Sequence, residues 1–323
     1  MASGHRRWWA PTLVAAALLA VASAAGGQAR PKDKDVNRAG AKKIRITGDW
    51  LAAGARGIWL SGQTEIYRLD PRSGRRRATI RIPQGPCEAT DVGFGKLWTA
   101  TCQVAGLARV DPAGNRVRHV RLPVALDWRG EGSIGAGAGG VWVVADGRRC
   151  TACRVIRVHP RTMKVTARVR VRIGAATVRV GAGAVWVANP VEDVVQKIDP
   201  RRRRVVRTIR TGPGPRFFDV GLGAVWTLDQ VDGTVTRIDA RTGRTHRIRT
   251  DVVGEGGDLT VGGGSVWARG SNRLLVRIDP KRRRVVTRYG PSSGSGAVIV
   301  GGGAVWISAH DVNTVWRLPL RRA

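Results

Sequence analysis

Gly181-Ala182-Gly183-Ala184-Val185-Trp186 is one copy of a phrase that the chain repeats seven times: glycine, any residue, glycine, any residue, an aliphatic residue, tryptophan. The tryptophans are Trp59, Trp98, Trp142, Trp186, Trp226, Trp267 and Trp306, spaced 39, 44, 44, 40, 41 and 39 residues apart. The first copy departs at one place, where Arg56 stands in the position of Gly95 and Gly183. A period near 40 residues marks a repeat architecture.

Working outward from Trp186, Thr177 to Val180 alternates and stops at Gly181. Ala184 to Ala188 is a second short apolar strand, Asp193 to Ile198 a third, and Arg204 to Arg210 a fourth after the Asp199-Pro200 turn. Period-two patterning with turn residues between runs predicts strands throughout. The one helix-like run, Thr12 to Ala22, belongs to an export signal. Four strands in about 40 residues is the pattern of a β-propeller blade, which must bury its sheet faces against neighbouring blades. The tryptophan is expected between adjacent sheets, and the glycines in a tight turn near the axis. Asp70-Pro71, Asp111-Pro112, Asp199-Pro200 and Asp279-Pro280, with Asp239-Ala240 and His159-Pro160, mark the turn before the fourth strand. Proline presets such a turn and aspartate accepts its backbone N–H groups, so these aspartates are read as turn geometry.

The chain ends test the reading. After Trp306 come the rest of a second strand and one more, Asn313 to Leu318. Near the other end Lys42 to Thr47 reads KKIRIT, like the outer segments at 207–210 and 246–249. The expectation is an all-β, seven-bladed propeller over 42–320. Its ring is closed by the N-terminal strand as the outermost strand of the last blade, which pairs otherwise free edges.

Residues 1–25 read as a signal peptide: Arg6 and Arg7, the apolar run, then small residues through Gly26. The run is short for a membrane span. Residues 26–41 read as a flexible leader. The chain is expected to be secreted or associated with the cell envelope, without stable membrane insertion after cleavage. Cys87, Cys102, Cys150 and Cys153 allow three pairings, of which the local pairs 87–102 and 150–153 are preferred as disulfides in an oxidising compartment.

Lysine and arginine number 56 against 23 acids, a net charge of +33. The excess sits on predicted outer strands and turns, as at Arg75 to Arg77, Arg201 to Arg204 and Arg282 to Arg284. Such a field draws polyanions in a salt-dependent way. Aromatics do not interleave the basic runs, which argues against specific nucleic-acid binding. Anionic cell-wall polymers or lipid headgroups suit an exported protein better, and a plain compositional bias toward arginine accounts for the same runs.

The G-x-G-x-V-W stretches and the turns at Arg237-Ile238-Asp239 and Arg277-Ile278-Asp279-Pro280 resemble those of secreted bacterial propellers of the YVTN and streptogramin (virginiamycin B) lyase-like group. The resemblance covers about residues 42 to 320. For a lyase it implies ring opening at an ester linkage by elimination, with a magnesium ion, histidines and a glutamate near the central funnel. The family's histidines start the innermost strands. Here those places hold Cys87-Glu88, Glu131-Gly132, Ala175-Ala176, Arg216-Phe217, Gly257-Asp258 and Ala297-Val298. Of the five histidines, His310 alone is expected near the mouth.

The leading expectation is therefore a monomeric, non-catalytic propeller, without cofactor or metal, binding an extracellular or cell-envelope ligand or protein, including anionic polymers. The alternative is a metal-assisted lyase or hydrolase acting at the channel mouth. Loops entering the first strand and leaving the second share the mouth face. They carry the candidate ligand-binding residues Glu88, Trp128, Arg129, Glu131, Asn189, Arg216, Phe217, Asp229, Asp258, Arg269, His310 and Asp311. Glu88 and Glu131 occupy equivalent places in neighbouring blades and form the best carboxylate pair for a hard cation. Trp128 beside Arg129 lies outside the blade pattern, as a contact surface would.

Overall fold

In the computed structural model, which describes residues 30–101, 103–123, 133–145 and 152–323, each repeat phrase forms a two-residue hairpin. Both central residues have positive φ, as at Ala182 (49°) and Gly183 (71°) or Ala55 (44°) and Arg56 (68°). That is the type I′ geometry whose twist matches paired strands. In all seven copies the tryptophan indole N–H donates to the carbonyl of the glycine five residues earlier, at 2.9–3.1 Å. These tryptophans are buried and fully paired.

Seven sheets result, antiparallel but for one added edge strand. We number the blades one to seven over residues 51–81, 86–121, 134–170, 177–210, 215–249, 257–290 and 298–319. The first strand of each blade contacts the first strand of the next, and Val298–Gly301 contacts Leu51–Gly54, which closes the ring. The seventh blade supplies three strands; Lys42–Arg45 completes it, antiparallel to Thr314–Pro319 with Lys42 opposite Arg317. The expected ring and its closure are observed.

Residues 26–41, read from the sequence as a leader, contain a strand. Lys32–Asp35 adds to the outer edge of blade six, parallel to Arg284–Gly290. Val36 is buried in a cluster with Tyr289, Leu275 and Trp316, and the Trp316 indole donates to Asn37 Oδ1 at 3.2 Å. K-D-K-D has no apolar alternation and is poor in strand formers, so patterning hides it; the sheet edge recruits it through backbone bonds.

The disulfide expectation is corrected. No disulfide joins two described residues: Cys102 and Cys150 lie outside the described residues, and neither Cys87 nor Cys153 is a free thiol. The proposed signal peptide also lies outside the described residues, apart from which no described helix is long and apolar enough to cross a membrane.

The turn aspartates behave as read. Asp199 Oδ1 accepts the Arg201 and Arg202 N–H groups at 2.8 and 2.9 Å, and Asp279 accepts those of Lys281 and Arg282 at 2.9 Å. These backbone N–H groups are the main reason both carboxyls titrate below the usual range.

Candidate functional site

The inner strands place charge on the channel. Two residues before the first glycine of the phrase stand Asp91, Arg179 and Asp219 in blades two, four and five, and Asp258 lies two residues nearer the mouth in blade six. Each aspartate spans a seam between blades. One oxygen accepts the N–H of its own next residue; the other accepts a backbone N–H of the following blade, from Ala136 (2.7 Å), Val261 (2.8 Å) or Val298 (2.9 Å). Desolvation raises all three carboxyls, Asp258 to about 7, while the Arg179 guanidinium opposes the rise.

The mouth side of this layer is filled. Trp50 of blade one packs on Phe217 of blade five with ring centroids 5.9 Å apart, and Arg179 of blade four lies 5.6 Å from the Trp50 ring. These blades are not neighbours, so the contacts cross the axis. Trp50 and Phe217 are both buried. Phe217 therefore serves as a plug, with Arg216 lying 4.9 Å over its ring.

A second cluster forms where blades six, seven and one meet. Buried Arg269 donates to the Ser308 and Gly294 carbonyls. Burial lowers its guanidinium to about 10, against the pull of Asp49, Asp258 and Asp311. His310 Nδ1 lies 3.3 Å from Asp49 and Nε2 2.8 Å from Asp311, whose other oxygen accepts the Ser295 N–H. A cavity of about 500 Å³ opens beside His310 and Asp49, bounded by Gln63 and Pro86. Of the residues singled out from sequence, Asp258, Arg269, His310 and Asp311 thus come together.

Others are used structurally. Asn189 donates to the Ile173 carbonyl and accepts the Val191 and Glu192 N–H groups, folding its own loop. Asp229 accepts the hydroxyls of Thr227, Thr234 and Thr236, and burial raises its carboxyl to about 6. Glu88 lies in strand Pro86–Gly93. Trp128, Arg129 and Glu131 lie outside the described residues, so the Glu88/Glu131 pair is not brought together among them.

Sequence reasoning missed Asp49, Trp50, Asp91, Arg179 and Asp219. Asp-Val-Gly at 91–93 and 219–221, against Arg-Val-Gly at 179–181, was the available signal: charge at one register of the inner strand. Among the described residues no group of three or more His, Cys, Asp or Glu side chains is arranged to hold a metal ion.

Among the described residues the mouth face offers solvent aliphatic side chains set among charged ones such as Arg172, Asp232, Glu255 and Asp311. Ile173, Val191, Val231, Val253 and Val312, on loops of this face, are exposed, Val191 at 66% and Val231 at 73%. The latter two flank a cavity of about 450 Å³ that Arg216, Gln230 and Glu255 also line. The fold is that of a β-propeller scaffold suited to holding a ligand or partner.

Comparison with family models and with curated proteins finds no match. Solved structures do match. Virginiamycin B lyase from Staphylococcus aureus superposes with a TM-score of 0.70 at 13% identity, over 86% of this chain and 98% of that one. The Pan2 WD40 domain of Neurospora crassa gives 0.66 at 11% identity, over 85% and 90%. Hydrazine synthase of Kuenenia stuttgartiensis gives 0.65 at 15% identity, over 86% and 97%. Identities this low carry the fold and no activity, so the chain is a seven-bladed propeller structurally related, at low identity, to the virginiamycin B lyase-like propellers.

Proposed function

We propose that this protein is an exported, non-catalytic propeller that takes an extracellular or cell-envelope partner on its mouth face. The observation that carries the reading is the pair of exposed valines, Val191 and Val231, flanking the Arg216 cavity. Exposed aliphatic tips clustered on one face, rimmed by polar groups, are what an interaction surface presents. The polar residues behind them are already engaged: Asn189 and Asp229 hold loops, and Arg269 ties blade six to blade seven. The net charge of +33 favours a partner with anionic character.

A photo-crosslinking side chain at position 191 or 231, in the producing cells, tests this. One partner is expected from both mouth positions and none from a control at Arg118 on the outer edge of blade two. Equal labelling at all three positions, or none at the mouth, would overturn the reading. N-terminal sequencing of the accumulated protein tests export: a start near residue 26 is expected.

One observation favours the enzyme reading enough to name it. His310 and Asp49 stand beside a cavity of about 500 Å³. A carboxylate-paired imidazole at a cavity is a proton-transfer arrangement. It is a single histidine, whereas the lyases that the sequence resembles use more than one.

A further inference from the structure

Four blades are laced to the next by one device. The third-strand cation opposite each tryptophan donates to the carbonyl that follows the turn residue of the next blade. Arg109 reaches Pro160 (3.0 Å), Lys197 reaches Ala240 (2.8 Å), Arg317 reaches Pro71 (2.9 Å), and Arg68 reaches Pro112. Among the described residues the lace is missing between blades three and four, where Arg157 donates to Gly139 of its own blade, between blades six and seven, where Arg277 donates to Ala323, and between blades five and six. Arg237 lies over Trp226 and 3.8 Å from Asp239 of its own blade, and among the described residues it donates no hydrogen bond to Pro280. A groove of about 930 Å³ opens there, on the face opposite the mouth.

We infer that this groove is a binding site for a ligand carrying several phosphate groups in a row. Its walls present Lys32, Lys34, Arg237, Arg277, Lys281 and Arg282 against the Asp279 carboxylate, which is itself 3.5 Å from Arg282, and Ala323, whose oxygen accepts from Arg277 at 2.7 Å. The cations stand on both sides: Arg237 from blade five, Arg277, Lys281 and Arg282 from blade six. Lys32 and Lys34 come from the added fifth strand, an element that no other blade has among the described residues. A tetrahedral phosphate offers oxygens to both walls at once; a planar carboxylate offers two oxygens on one side. Arginine forks and lysine point charges both suit phosphate oxygens. The site is separate from the mouth face, so its test stands or falls independently of that reading.

The test uses the full chain and long-chain inorganic polyphosphate, with affinity measured across a salt series. Lys32→Gln, Lys281→Gln and Arg282→Gln are combined in one variant; all three side chains are exposed. The control combines Arg116→Gln, Arg118→Gln and Arg121→Gln on the exposed edge of blade two and removes the same charge. The groove variant is expected to lose tenfold or more in affinity. Its log–log salt slope should fall by about two to three units, at roughly 0.7–0.9 per neutralised phosphate contact, while the control changes less than threefold. Equal losses in the two variants would reduce the effect to net charge and overturn the site. Poly-glutamate binding as tightly as polyphosphate would overturn the phosphate assignment. Phosphatidylglycerol vesicles, with one phosphodiester per headgroup, form the second arm: polyphosphate binding alone assigns a soluble polymer, groove-dependent binding to both assigns a surface that presents many phosphates, and binding to vesicles alone or to neither overturns the proposal.

Discussion

Arg317 Nε donates to the Pro71 carbonyl at 2.9 Å while its guanidinium lies 5.8 Å over the Trp306 ring. This bond joins blade seven to blade one, the last seam of the ring. The ring contact is the part that every repeat shares. All seven tryptophans carry a cross-strand cation at 5.0–5.9 Å. In the four laced blades the turn and the tryptophan phrase are two halves of one inter-blade joint.

Replacing Arg317 with alanine should therefore cost about 1–2 kcal/mol, the sum of one hydrogen bond and one cation–π contact. Arg317→Lys should keep most of it, because Lys197 makes the same joint in blade four. Urea unfolding of the three proteins measures the difference. Equal losses in the alanine and lysine variants would show that the cation does not hold the seam.

The two glycines of the phrase have different physical jobs. A Cβ on Gly221 would stand 2.6 Å from Val261 Cγ1 of the next blade, whereas Gly223, at φ +72°, has nothing within 4 Å. Gly221→Ala should cost about 1–3 kcal/mol by overpacking. Gly223→Ala should cost about 1 kcal/mol through its left-handed backbone. Guanidinium unfolding should rank the wild type above the Gly223 variant and that above the Gly221 variant; the reverse order would contradict the close-approach argument.

The blades, their number and the closing strand were legible because each repeat must meet the same contacts, so the constraint is written seven times. Lys32–Asp35 was not, since an edge strand held through its backbone leaves no apolar pattern. The channel layer was half legible. Asp258 was visible from its loop position, but the crossing of Arg179, Trp50 and Phe217 over the axis is a long-range contact that no single repeat encodes. Asn189 and Asp229 looked like site residues because polar groups at loop starts serve binding and loop anchoring alike.

If Trp50 plugs the channel, Trp50→Ala should cost about 3–5 kcal/mol, the range for removing a large buried aromatic. Trp50→Phe should recover a large part by keeping a ring against Phe217. Thermal unfolding with a denaturant series checks both. A loss under about 1 kcal/mol in the alanine variant would mean that the ring does not fill the axis.

Stability should fall as pH rises from about 4 to 7. Burial holds Asp229 near 6 and Asp258 near 7 in the folded chain, above the ordinary 3.8. Below 3.8 both states are protonated and the native state keeps its full advantage. Between 3.8 and the folded value the unfolded chain releases its proton while the native chain retains it, so the advantage drains away; above the folded value it is flat. For Asp229 alone the decline between pH 4 and 6 is at most about 3 kcal/mol, at 1.36 kcal/mol per unit. The turn aspartates Asp70 and Asp239, held low chiefly by the Ser73 and Thr242 N–H groups, act in the opposite sense and below pH 4, outside this window. Asp229→Asn should flatten the pH 4–6 slope without unfolding the chain. The hydroxyls of Thr227, Thr234 and Thr236 are rotors and accept from an amide as readily as they donate to a carboxyl. Urea midpoints of the two proteins at pH 4, 5, 6 and 8 measure it, and identical slopes would show that Asp229 does not carry its proton into the fold.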